Sequence, residues 1–358
     1  MSDTAMRLRI LCIGETWFGS DARAAFAALR RLGQSVHVID EAHFVPIDWV
    51  SLPTRIVRKV FRKAMIGELT SHSIRAMDLL RPDALFVFKG NHVSRDILDA
   101  AHDRGITTIN YYPDVSFMTH GAEIPRALPR YDHVFNAKTY GIADMKKHGV
   151  QSVTLMPPGY DPELHQPMEL NEGDRSRFGC DVSFIGTWSP KKESILAQLK
   201  QSLPQVHLRV WGNQWDKRQT HALDGAVMGM GITGEDYTRA ICASSINLGL
   251  LSEARPGASS GDLITARTFQ IPACGAFMLH ERTDEVVQYF NEGEEAEFFS
   301  GAAELASKVT RYLESDADRA RIAAGGLARS HASGYAIDNR MREIIDWLRS
   351  RIAAHPAP

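Results

Sequence analysis

Two rhythms of apolar and polar positions alternate along the first half of the chain. Leu8-Arg-Ile-Leu-Cys-Ile-Gly14 is a short apolar run closed by glycine, Asp21 to Leu32 has helical spacing, and Ser35-Val-His-Val-Ile39 is a second short run. Together they predict a strand, helix and strand in succession. The alternation continues with a helical stretch at Ile74–Leu80, a strand at Ala84–Phe88, a helix at Ser94–Arg104 and a strand at Thr107–Tyr111. Strands that alternate with helices predict a parallel sheet covered on both faces.

A turn-rich stretch then interrupts the pattern. Met156-Pro-Pro-Gly-Tyr-Asp-Pro162, and the residues on to Gly179, cluster Pro, Gly and Asp as a linker does. Alternation resumes with strands at Asp181–Gly186, Val206–Trp211, Ile246–Leu250 and Ala276–Leu279. Between them lie helices at Lys192–Leu203, Glu235–Ala243 and Asp262–Ile271, and three helical stretches follow from Asp284. The expected organisation is an N-terminal Rossmann-like domain over residues 1–165 and a C-terminal one over 166–335. Two such halves form a cleft at the carboxyl ends of both sheets, where doubly wound folds take ligands.

The chain's 358 residues suit two domains rather than one. A formal net charge of −2 provides no field to attract DNA or RNA, so nucleic acid is not an expected partner. The apolar run Leu8–Ile13 is too short to span a bilayer and lacks the flanks of a secretory signal. A cytoplasmic location is expected. The four cysteines, Cys12, Cys180, Cys242 and Cys274, are widely separated, which argues against a zinc site or a disulfide framework.

Candidate chemistry concentrates between Arg255 and Leu279. A small-residue loop, Gly257-Ala-Ser-Ser-Gly261, is expected to open a helix, so that free N–H groups and the positive end of the helix dipole can hold phosphate near Ser259 and Ser260. Arg267 on that helix carries a permanent charge in a fork that matches diphosphate oxygens.

The stretch Arg267-Thr-Phe-Gln-Ile-Pro-Ala-Cys-Gly-Ala-Phe-Met-Leu279, followed by Glu281-Arg-Thr-Asp-Glu-Val286, Phe290 and Glu295, resembles the donor-binding half of CgeB-like glycosyltransferases. These are relatives of the large GT-B group that transfers sugars from nucleotide donors. Met156–Pro167 and Ser183-Phe-Ile-Gly-Thr-Trp-Ser-Pro-Lys-Lys192 resemble the close of the acceptor half and the first strand and basic loop of the donor half. The resemblance implies a GT-B fold whose last helix, 336–354, packs back on the first domain, and a nucleotide-sugar donor, with a UDP-sugar as the default. It implies that Gly186 and Thr187 approach the diphosphate, that Lys191 adds charge, and that Arg267 compensates the departing nucleotide. Retaining relatives carry two glutamates eight positions apart on the donor helix; here Asp262 and Gln270 stand there, which leaves donor identity and stereochemistry open. Neither a metal nor a cofactor is expected.

In the first half, Tyr111-Tyr-Pro-Asp-Val-Ser-Phe-Met-Thr-His-Gly121 follows a strand's carboxyl end. It offers Asp114 and His120 as an acceptor base or its orienter. Gly14 and Glu15, and the segment Lys89-Gly-Asn91, occupy comparable strand ends. Gly229-Met-Gly-Ile-Thr-Gly234 matches a dinucleotide fingerprint but has no strand before it, so a loop that starts a helix is expected. Asp316-Ala-Asp318 suits a helix N-terminus beside Ser315 rather than a metal. In Arg55–Met65 the apolar residues share one helical face and Arg55, Arg58, Lys59, Arg62 and Lys63 the other. The simplest expectation is that the apolar face packs on the domain core; a peripheral contact with the inner membrane face is the alternative. Two rival functions remain beside glycosyl transfer: a catalytically silent nucleotide- or glycan-binding scaffold, and a sugar-nucleotide epimerase.

Overall fold

The computed structural model describes residues 6–46, 51–229 and 231–354. Met230, inside the glycine-rich segment singled out above, and residues 1–5 of the first expected domain lie outside the described residues. The chain forms two compact units. The first comprises residues 1–157, 254–260 and 337–358, and the second residues 158–253 and 261–336.

The first unit contains strands β1 (Arg9–Gly14), β2 (Ser35–Asp40), β3 (Ala84–Phe88), β4 (Thr107–Tyr112), β5 (His133–Asn136) and β6 (Val153–Leu155). Its first helices are α1 (Asp21–Arg31), α2 (Leu52–Leu80), α3 (Arg95–His102), α4 (Glu123–Ala127) and α5 (Gly141–Lys147). The sheet runs β2-β1-β3-β4-β5-β6, parallel throughout. All five residues of β3 are buried, as expected of a central strand covered on both faces. Helix α1 begins where the Ser20 hydroxyl accepts the Arg23 N–H, and it buries Ala22, Ala25, Phe26 and Leu29.

The second unit contains β7 (Cys180–Ile185), β8 (Leu208–Trp211), β9 (Ser244–Gly249), β10 (Met278–Glu281) and β11 (Glu297–Phe299). Its helices are α6 (Glu172–Phe178), α7 (Pro190–Ser202), α8 (Gly234–Ala243), α9 (Ala266–Ala273), α10 (Ala302–Leu313) and α11 (Asp316–Ala332). The sheet order, β8-β7-β9-β10-β11, repeats that of the first unit. In both, the order reverses beside the first strand, at β1/β3 and at β7/β9. That switch point opens a crevice at the carboxyl ends of the strands. Helix α12 (Ile337–Ala354) stands with the first unit. Ile337, Met341, Ile344, Ile345 and Leu348 share a core with Leu8, Ile10, Phe26 and Leu29, and Asp338 receives both arms of the Arg31 guanidinium.

Several expectations need correction. Residues 52–80 form one helix of 29 residues rather than two separate ones. The expected core face of its first half is exposed: no residue from 51 to 68 is buried, and burial starts at Leu69. Two more short strands, β5 and β6, and the three-residue β11 are too brief to show a period in sequence. The turn-rich linker holds α6, started by an Asn171–Asp174 capping box. Loop 257–261 does not open a helix. Helix α9 starts at Ala266 because the Thr268 hydroxyl accepts the Thr265 N–H at 3.0 Å and the Thr265 carbonyl accepts the Thr268 N–H at 3.1 Å, as in a capping box. Ser315 caps α11 by accepting from Asp318.

Candidate functional site

At the switch point of the first sheet, a Cβ on Gly14 would come within 3.2 Å of Phe26 and 3.3 Å of Ala22 and Phe88. Close packing of α1 on β1 therefore favours glycine, because any side chain here would push Phe26, Ala22 and Phe88 back by a few tenths of an ångström. The next residue, Glu15, accepts a hydrogen bond of 2.8 Å from the Asn91 amide, just beyond β3. Lys89 adopts φ 65°, a left-handed conformation uncommon for a residue with a side chain. From there its ammonium lies 2.7 Å from Asp114 Oδ2, and His120 Nε2 lies 3.1 Å from the same oxygen. Glu15, Asn91, Lys89, Asp114 and His120 thus gather at the ends of β1, β3 and β4.

The electrostatics follow from this crowding. Burial opposes the Asp114 carboxylate, but Lys89 and His120 outweigh it and hold its pKa below the ordinary value. Burial lowers the His120 pKa, helped by Lys89 and Arg255 and resisted by Asp114. The imidazole is therefore neutral near pH 7 and able to accept a proton. Burial also raises Glu41 to about 8 although its carboxylate accepts the His92 N–H at 2.8 Å. His92 itself is pulled down to about 4 by burial and by Arg62, Arg58 and Lys89. A pocket of about 600 Å³ has Glu15, Asn91, His92 and His120 on one wall and Arg55, Arg58, Lys59 and Arg62 of α2 on the other.

The segment 254–260 stands with this first unit. Ser116 donates to the Pro256 carbonyl at 2.6 Å. The Ser259 N–H and hydroxyl both donate to Asp144, at 2.9 and 3.0 Å. Ser259 and Ser260 are therefore grouped with the first unit, and the donors of Ser259 face a carboxylate.

At the second switch point, the Arg267 guanidinium donates to the Ile185 carbonyl at 3.2 Å and to the Leu250 carbonyl at 2.8 Å. One side chain thereby bridges the ends of β7 and β9 across the reversal. It lies over the Phe184 ring, and a Cβ on Gly186 would come 2.8 Å from Phe184 Cζ and 3.0 Å from the Arg267 Nη1, so a larger residue there must displace these two side chains. Burial lowers the Arg267 pKa, against the pull of Tyr237, Asp262 and Glu281. Lys191 donates its N–H to Glu253 at 2.8 Å and pairs with Glu281 at 2.8 Å. The Thr187 carbonyl accepts from Lys192 at 3.2 Å, and Lys192 also donates to the Ser252 hydroxyl at 2.9 Å. Asp262 accepts the Ser252 N–H at 3.3 Å. Gln270 turns toward α8, where its Oε1 accepts the Tyr237 hydroxyl at 2.7 Å.

The structure thus brings Gly186, Thr187, Lys191, Asp262 and Arg267 to one switch point and Gly14, Glu15, Asp114 and His120 to the other. Lys192 and Glu281 lie in the segments that carry the family resemblance, and Glu253 lies at the distance a dinucleotide site would need from Gly229–Gly234, but none of the three was expected as a site residue. Lys192 carried a legible signal, since a cation in the first turn of a helix opposes the dipole and calls for a local reason. No group of side chains among the described residues is arranged to hold a metal, and no described helix is long and apolar enough to cross a membrane.

The two-unit architecture has solved counterparts. Sucrose-phosphate synthase from Thermosynechococcus elongatus superposes with a TM-score of 0.67 at 14% identity, over 97% of this chain and 100% of that one. Anabaena HepE in complex with UDP-glucose gives 0.64 at 12% identity, over 95% and 100%. A putative UDP-N-acetylglucosamine 2-epimerase from Listeria monocytogenes gives 0.56 at 9% identity, over 99% of each. The fold is GT-B. Within it, residues 191–346 match the glycosyl transferase-like family model, which covers most of the second unit of the GT-B architecture and the start of α12. Among curated proteins none matches the chain by sequence.

Proposed function

We propose that the protein is a glycosyltransferase that transfers a sugar from a UDP-sugar to an acceptor, and that it is of the CgeB-like kind. The observation that carries the reading is the second switch point. There Arg267, Lys191 and Lys192 converge on the strand ends beside Gly186, in a unit that matches a glycosyl transferase-like family. In this reading Gly186 and Thr187 leave room for the diphosphate, and the cations balance the charge that develops on the leaving nucleotide without a metal having to do so. His120, oriented by Asp114, takes the proton of the acceptor hydroxyl. HepE and the epimerase, both similar in fold, are described with UDP-glucose or as acting on a UDP-sugar, which supports uridine as the base.

Thermal stabilisation by UDP, GDP, ADP, TDP and CMP tests the donor. A ligand that binds only the folded state adds about 2.7 kcal/mol at 100 times its dissociation constant. The expected result is a selective shift with UDP that Lys191→Ala diminishes. Arg267→Ala is the poorer probe because it also strips donors from the Ile185 and Leu250 carbonyls, at a cost of about 1–3 kcal/mol. No shift with any nucleotide sinks the donor assignment and favours a silent scaffold. The epimerase reading draws support from the fold shared with the Listeria protein. Incubation with UDP-N-acetylglucosamine alone tests it, since an epimerase yields an isomer with no acceptor present.

A further inference from the structure

The first half of α2 is unlike every other helix of its unit. Ile56, Val57, Val60 and Phe61 are 56, 42, 69 and 54% exposed. Positions 56 and 60, and 57 and 61, are each four apart, so the four side chains form one stripe along the helix. Arg55, Arg58, Lys59, Arg62 and Lys63 flank the stripe, and no acidic residue occurs between Leu52 and Gly67. An exposed apolar row of this length on a soluble unit calls for a partner.

The charges select which one. On a second copy of the chain, a two-fold interface built on this face would set five cations against five, an arrangement that repels. An anionic lipid surface complements them instead, and apolar side chains flanked by Lys and Arg enter the boundary between headgroups and acyl chains. A chain of net charge −2 has no general attraction to such a surface, so binding would be local to this helix.

We propose that residues 52–63 dock the protein on a membrane surface that carries anionic lipid. The helix lies in the plane of the interface, with Ile56, Val60 and Phe61 inserted and Arg55, Lys59 and Lys63 at the headgroups. Arg55, Ile56 and Lys59 also line the pocket that holds His120, so docking brings that pocket to the lipid surface. The docking does not depend on the donor chemistry.

Flotation of the full-length protein with vesicles tests this. It is expected to float with vesicles of equal parts phosphatidylcholine and phosphatidylglycerol, and to stay behind with phosphatidylcholine alone. High salt should weaken binding because the attraction is partly Coulombic. Val60→Asp combined with Phe61→Asp should abolish flotation, and Lys63→Glu should weaken it on the order of tenfold. These side chains are exposed, so the variants should keep the wild-type melting temperature. Failure to float with the anionic vesicles overturns the proposal, as does flotation that the double variant leaves unchanged. A wild-type dimer in sedimentation velocity that Phe61→Asp splits would assign the face to a second copy and also overturn it. If flotation holds while no nucleotide stabilises the protein, the docking stands and the donor reading alone fails.

Discussion

His120 and Glu41 occupy the same unit and respond to burial in opposite directions. Burial lowers the histidine, while Asp114 favours its protonated form. NMR titration should therefore place His120 below 6.5, and Asp114→Asn should move it lower still, because the charge that stabilises the imidazolium is gone. A base works deprotonated, so the acid limb of the rate profile should also lie below pH 6.5 and shift down in that variant. A His120 that titrates at or above 6.5 contradicts the account. For Glu41, raised from 4.5 to about 8, the unfolded chain ionises first. Between those values the folded state alone keeps the proton, so this group's contribution to stability is full below pH 4.5. It is lost as pH rises toward about 8, by at most about 1.4 kcal/mol per pH unit. Denaturant titrations of Glu41→Gln across that window should show the slope removed, and an unchanged slope would rule the mechanism out.

Among the elements, β9 and β10 are locked to α9 by one histidine. His280 on β10 pairs in register with Gly249 on β9, and its Nε2 lies 2.9 Å from Thr268 Oγ1 on α9. A Cβ on Gly249 would fall 2.1 Å from the imidazole Cδ2. Gly249→Ala must displace the ring, break its bond to Thr268 and disturb the helix that carries Arg267. A loss of about 1–3 kcal/mol is expected from overpacking, with weaker UDP stabilisation; an urea midpoint equal to wild type would refute it. Elements with long, strong periods were legible in sequence, such as α1 and the buried run of β3. The three-residue strands β6 and β11 were not, because so few residues define no period. The start of α9 was misplaced because Gly257–Gly261 looks like a helix-opening loop, whereas the Thr265–Thr268 box sets the actual boundary.

Across the whole molecule, the last helix belongs to the unit with which the chain begins. Removing residues 337–358 should expose the sheet face that Met341, Ile344, Ile345 and Leu348 cover. The first unit should then unfold at a lower temperature while stabilisation by UDP persists in the second. Calorimetry would show a single unchanged transition if α12 were dispensable.

The sequence by itself determined the alternation of strands and helices, the two-unit plan, and the residue types available at each strand end, because local periodicity and turn chemistry are properties of neighbours along the chain. Gly14, Glu15, Gly186 and Arg267 were recognisable as strand-end or helix candidates on that basis. Only the tertiary structure decided that both sheets reverse order beside their first strand, that Arg267 bridges Ile185 and Leu250, and that Lys89, Asp114 and His120 share one oxygen. It also decided that Ser259 faces Asp144 in the first unit and that the apolar face of residues 52–63 stays exposed. Each of these depends on which segments distant in sequence come together, and no local pattern encodes that.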